Sequence, residues 1–208
     1  MSRDDSTQRH PPDPVASTLS GLGDASPVLV MAAAGAGSVD AVCRSLLAPT
    51  DGTEQALVLS LTDGVDGCLE RLGDTAGLST VHVITTRQGP SATTVTAGET
   101  TEIVTRRIDD PSDLPRLGIA ASRTVTGADG EGRFRVCIDS LTAMLQYADR
   151  GRVYRFVQVL QDRLAQADTV AHYHMNPAAH DEQTVETLRQ LFDAVVEVSA
   201  DGSVELVE

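Results

Sequence analysis

The 208-residue chain contains no lysine: all sixteen of its basic residues are arginine. Average usage would put about a dozen lysines in a chain of this length. Thirty Asp and Glu residues bring the net charge to −14. Arginine in place of lysine, on a surface rich in carboxylates, Thr and Gly, is the composition expected of a cytoplasm at molar salt, coded by a GC-rich genome. At about 1 M salt the Debye length is only about 3 Å, so such a surface scarcely repels itself. The carboxylates are spread along the whole chain, which favours solvation over an acidic docking patch. No basic stripe marks a nucleic-acid interface, and nucleic acid is not expected as a partner.

Tryptophan is also missing and aromatics make up 3% of the residues, so the core must be built from Ala, Val and Leu. No apolar run approaches the roughly 20 residues of a membrane helix. The longest, Pro27 to Ala36, is far shorter, and Met1 to Asp24 lacks the apolar centre of a signal peptide. A soluble, cytoplasmic protein without a membrane partner is the expectation. Cysteine is scarce. Cys43, Cys68 and Cys137 are odd in number, widely spaced and set in apolar patterns; they read as small core residues, not as a disulfide frame or a zinc site.

What is present suffices for one core, at 41% hydrophobic residues with no compositional break. The division expected is a disordered N-terminal tail over residues 1–26, polar and carrying three prolines, and a single domain over residues 27–208. Short apolar runs read as buried strands at Val28–Met31, Ala56–Leu61, Val81–Ile84, Phe134–Ile138 and Thr169–His174. Between them, helical spacing joins Val39, Val42, Cys43, Leu46 and Leu47; Val65, Cys68, Leu69 and Leu72; Leu114, Leu117, Ala121 and Val125; Val153, Phe156, Val157, Leu160 and Leu164; and the stretch Val185 to Phe192. Residues 85–107 read as a hairpin or a loop, and Val195–Val198 with Val204–Val207 as a closing hairpin through Asp201-Gly202. This alternation predicts an α/β fold: a mostly parallel sheet, helices on both faces and a C-terminal antiparallel hairpin. Ligands of such sheets sit at the carboxyl ends of the strands.

At the end of the first strand, Ala32-Ala33-Ala34-Gly35-Ala36-Gly37-Ser38-Val39 occupies the frame GxxxxGK[ST] of a phosphate-binding loop. Gly35 and Gly37 stand, but the first glycine is Ala32, the lysine position is Ser38 and the magnesium-hydroxyl position is Val39. Asp40 adds negative charge to the first turn of the helix. The fourth strand runs Arg135-Val136-Cys137-Ile138-Asp139 into Ser140-Leu141-Thr142-Ala143. With the glycine loop, the strand spacing and the ending Phe192 to Val198, this resembles the RecA superfamily of P-loop ATPases, and in particular its KaiC-like and Rad55-like members of haloarchaeal type. The resemblance covers roughly Pro27 to the C-terminus and implies a RecA-like sheet. It implies a nucleotide site of Gly35, Ala36, Gly37, Ser38 and Asp139, in which Asp139 would orient magnesium through water. Read from its own residues, Asp139 is equally an N-cap of the next helix.

An acid after the second strand activates water in working members of that superfamily, and Asp63 is the matching candidate, although Thr62-Asp63-Gly64 is also an ordinary turn. His172 and His174 share one strand face by alternation, and His180 follows in the loop, so the three are candidate metal ligands. With the phosphate loop stripped of its lysine and hydroxyl, the expectation is a non-catalytic domain that regulates or scaffolds by binding a protein, whether another RecA-fold subunit or a second copy of itself, with no cofactor. The alternatives are an ATP-binding protein or slow ATPase using ATP and magnesium, and a metal-dependent enzyme using His172, His174 and His180.

Overall fold

The structure, a computed structural model, describes residues 14–22, 25–49, 54–73, 77–89, 92–97, 101–127, 133–167 and 169–207. In chain order the elements are α1 (Pro14–Leu19), β1 (Val28–Ala32), α2 (Val39–Leu47), β2 (Gln55–Ser60), α3 (Val65–Leu72), β3 (Thr80–Thr85), β4 (Ala92–Ala97), β5 (Thr101–Arg107), α4 (Leu114–Thr126), β6 (Phe134–Asp139), α5 (Leu141–Tyr147), α6 (Arg150–Ala165), β7 (Val170–Met175), α7 (Glu182–Arg189), β8 (Ala194–Val198) and β9 (Val204–Val207). The strands form one sheet in the order β4-β5-β3-β2-β6-β7-β1-β8-β9. Every neighbouring pair is parallel except β4–β5 and β8–β9, the hairpins at the two edges. The α/β reading therefore holds, closing hairpin included.

Alternation along each strand sorts the side chains between two layers. Leu29, Met31, Leu57, Leu59, Val136 and Ile138 face α4, α5, α6 and α7 and join one large core with Leu117, Met144, Val157 and Leu188. Their neighbours Val28, Val30, Ala56, Val58 and Cys137 point the other way, against α1, α2 and α3. Burying a Leu or Val side chain fully contributes about 1.5–3 kcal/mol each, so these stripes outweigh the thin supply of aromatics.

Two departures from the sequence expectation have local causes. Within the segment expected to be a tail, Pro14–Leu19 is helical, and Val15 and Leu19 are buried against Val28, Val42 and Val196; residues 1–13 of that expected tail lie outside the described residues. The last helix begins earlier than Val185 because the Asp181 side chain accepts the Thr184 N–H at 2.8 Å and caps it. Within the stretch read as a hairpin or a loop, residues 92–97 and 101–107 pair as the antiparallel strands β4 and β5, with β5 in turn paired in parallel to β3. No described helix is long and apolar enough to cross a membrane.

Half-buried His82 on β3 lies 3.2 Å from the Gln55 side-chain oxygen and beside Phe134. Burial, helped by the charge of Arg106, lowers its pKa below the ordinary 6.5. The unfolded chain therefore takes up this proton first, and stability must fall as pH drops below about 6.5. Denaturant titrations at pH 7.5 and 5.5 should show His82→Gln losing less stability across that interval than the parent. Identical losses would mean that His82 is not held neutral by the fold.

Candidate functional site

At two places in the sheet, neighbouring strands send their connections to opposite faces. β2 leads to α3 and β1 to α2 on one side, whereas β6 leads to α5 and β7 to α7 on the other. The carboxyl ends of β2/β6 and of β1/β7 are thus topological switch points, the usual ligand position in such sheets. The glycine loop, Asp63 and Asp139 lie where β1, β2 and β6 end, whereas His172 lies within β7.

The glycine loop makes a tight turn. Gly35 has φ +80°, a backbone conformation that favours glycine. The Ala36 N–H bonds Ala33 O at 3.2 Å and the Val39 N–H bonds Ala36 O at 3.3 Å, so two of the amides that would face a phosphate are engaged within the turn itself. Ser38 does not cap α2 with its side chain. Its hydroxyl donates instead to Gly202 O at 2.7 Å, fastening the loop to the β8–β9 turn.

The switch point between β2 and β6 holds a cation from the chain itself. The Arg71 guanidinium, reaching out from α3, donates to Asp139 at 2.5 Å, bonds the Asp63 carboxylate and lies 3.3 Å from Asp40. Burial works against its charge, but Asp139 and Asp63 outweigh burial and raise its pKa above the ordinary arginine value. Asp139 also accepts the Thr62 hydroxyl at 2.9 Å, and Ser60 is within 3.4 Å. Asp139 is therefore not the helix cap that its position allowed: Ser140 takes that role, its hydroxyl accepting the Ala143 N–H at 3.2 Å. Burial, with Asp63 adding to it, pushes the nearby Cys68 thiol up to about 12. Sequence reasoning missed Arg71, because nothing near it on α3 marks the carboxylates it meets on other elements.

The histidine trio separates. His180 turns to the Thr142 hydroxyl at 3.1 Å. His172 and His174 stay together, with ring centroids 5.1 Å apart, and the sheet register sets Cys137 on β6 beside His172. Cys43 descends from α2 onto the same spot, its sulfur 3.6 Å from that of Cys137 and 3.4 Å from His172 Nε2. These four side chains are between 1% and 5% exposed, so the two cysteines are indeed core residues, but they share their core with imidazoles. The hydrogen bond from Cys137 holds the Cys43 pKa well below that of a free thiol and raises that of Cys137. Burial lowers the His172 pKa; on His174 it acts in the same direction, but Cys43 outweighs it and the pKa rises.

The model of a family of unknown function, DUF7504, matches residues 25–198. Among solved structures, a protein from Pyrococcus horikoshii OT3 that was the subject of a structural study is similar over 86% of this chain and 84% of its own, with a TM-score of 0.55 and 13% sequence identity. That likeness concerns the fold alone. No curated protein matches.

Proposed function

Because the chain belongs to DUF7504, a family of unknown function, no chemistry comes with the family, and we propose from the site itself a non-catalytic domain of RecA/KaiC type that works by holding a protein partner. The observation that carries this reading is Arg71. In a phosphoryl-transfer site the carboxylate at a strand end serves a magnesium ion, and catalysis rests on positioning and charge stabilisation by free cations. Here the carboxylates Asp40, Asp63 and Asp139 already share a guanidinium supplied by α3. Two of the loop amides, those of Ala36 and Val39, and the Ser38 hydroxyl are likewise committed to internal bonds. An ATP-binding protein or slow ATPase would have to undo these contacts to seat a polyphosphate.

A partner surface is available on the opposite helical layer. A groove of about 460 Å³ runs between α4 and α6, floored by Leu114, Phe156 and Leu160. Ile119 and Val159 stand 58% and 55% exposed beside it. Arg123, Arg152, Arg155 and Arg163 rim it, and none of them forms an ion pair among the described residues. On a protein of net charge −14 this local concentration of cations fits an acidic amphipathic helix of another protein, its apolar side on Ile119 and Val159. In molar salt only close ion pairs survive screening, so the apolar anchors would supply most of the affinity.

The test has two arms, both in molar KCl. Calorimetry with ATP and magnesium should show no binding, and phosphate release should stay at background. Steady release that follows the protein through purification and vanishes in Asp63→Ala would overturn the non-catalytic reading. Affinity capture should retain a partner on the parent that is lost on Val159→Glu, with the melting temperature unchanged. A partner retained equally by both, or self-association disrupted by the same substitution in sedimentation, would sink the assignment of this groove to an acidic helix.

A further inference from the structure

We propose that Cys43, Cys137, His172 and His174 form a zinc site that clamps α2 to the centre of the sheet. A tetrahedral zinc with bonds of about 2.3 Å to sulfur and 2.0–2.1 Å to nitrogen sets its donors about 3.3–3.8 Å apart. The Cys43 and Cys137 sulfurs are 3.6 Å apart, and His172 Nε2 is 3.4 Å from Cys43 Sγ, so two edges of that tetrahedron already stand. All four donor atoms lie within 4.8 Å of one another, and closing the remaining edges takes a shift of about 1 Å.

An independent observation points the same way. His174 Nε2 is buried without a hydrogen-bond partner. A polar atom left thus has lost its water without gaining a partner, and a metal would satisfy it. The elements that bring the donors together are stiff: Cys137 and His172 are register neighbours on β6 and β7, His174 follows on the same face, and Cys43 closes the set from α2. Two thiols and two imidazoles are the donor set of structural zinc, and four protein ligands leave no open position for substrate. The site is therefore structural, not the metal-dependent active site in which His180 would have joined His172 and His174. It would fix the helix that follows the glycine loop to the strand that ends in Asp139.

Metal analysis and cobalt titration of the reduced, full-length protein test this. Protein purified in high salt without chelator should carry one zinc per chain. Cobalt added to metal-stripped protein should give the visible bands of a tetrahedral ion and the near-ultraviolet charge transfer of thiolate ligation. Cys43→Ser and His174→Ala should weaken cobalt binding by more than the roughly 10–100-fold that loss of an outer-shell partner costs, whereas Cys68→Ser should bind as the parent does. Should the ligand variants fail to fold, the parent's cobalt spectrum still decides. Folded, reduced parent that takes up neither zinc nor cobalt would overturn the proposal. A Cys43–Cys137 disulfide in freshly isolated protein, with no metal regained on reduction, would do the same.

Discussion

Arg71→Ala is expected to cost about 3 kcal/mol of stability, the low end of the range for stripping one partner from a buried ion pair. The lower figure applies because the Arg71 side chain keeps 24% exposure and Asp40 is largely in solvent, while Asp139, at 10%, has little water to turn to. Arg71→Lys should recover only part of the loss, since a single ammonium cannot spread planar donors over three carboxylates. The vacated site would then present Asp40, Asp63 and Asp139 to solution, and millimolar magnesium should raise the melting temperature of Arg71→Ala while leaving the parent unchanged. Urea denaturation reads the first effect and thermal melts with and without magnesium read the second. An alanine variant as stable as the parent would show that the carboxylates do not need this cation.

The second large effect lies at the opposite end of the sheet. Arg135 at the start of β6 grips Glu54 with two nitrogens, at 2.8 and 3.3 Å, and donates to Leu46 O at 3.2 Å. Glu54 is 1% exposed. Arg135→Met takes both of these bonds from a buried carboxylate and should cost about 3–5 kcal/mol. Adding Glu54→Leu removes the buried charge, and the double variant should regain most of the loss, because buried ion pairs are commonly replaceable by apolar residues of similar volume. Denaturation midpoints of the parent, single and double variants decide it; a double variant no better than Arg135→Met would mean that the charge pair is not the source of the cost.

β1, β2, β3, β6 and β7 were legible in the sequence as short apolar runs, and β8 and β9 as the arms of a hairpin through Asp201-Gly202, whereas Thr-rich β4 and β5 read only as a hairpin or a loop; helical spacing placed α2, α3, α4 and α6 with similar ease. The helix α1 was hidden by its setting: Val15 and Leu19 form only a single helical step among prolines and polar residues, and what buries them is β1, α2 and β8, the last of these far away in the chain. The candidate site divides along the same line. Gly35, Gly37, Ser38, Asp63 and Asp139 could be named because the loop and strand ends are local patterns. Arg71 could not, since its meaning depends on Asp139 and Asp40 in other elements. The cysteine–histidine cluster was out of reach for the same reason, Cys43 lying 94 residues from Cys137 and 129 from His172. One signal was present: Arg135, Cys137 and Asp139 alternate on one strand face, as His172 and His174 do on another.

The placement of β1 has a consequence for how the molecule assembles. Both of its neighbours, β7 and β8, come from the last third of the chain: Val28 pairs with His172 on one side and with Ala194 on the other. Contacts separated by so much sequence form late, because the entropy of closing the loop is lost before the pairing returns anything. During synthesis β2, β3, β5 and β6 can find one another while β1 still waits, its apolar residues unsheltered. The glycine turn, the Ser38 tie to the last hairpin and the meeting of Cys43 with the β7 imidazoles are therefore closing events of folding, completed only when residues 170–202 have emerged.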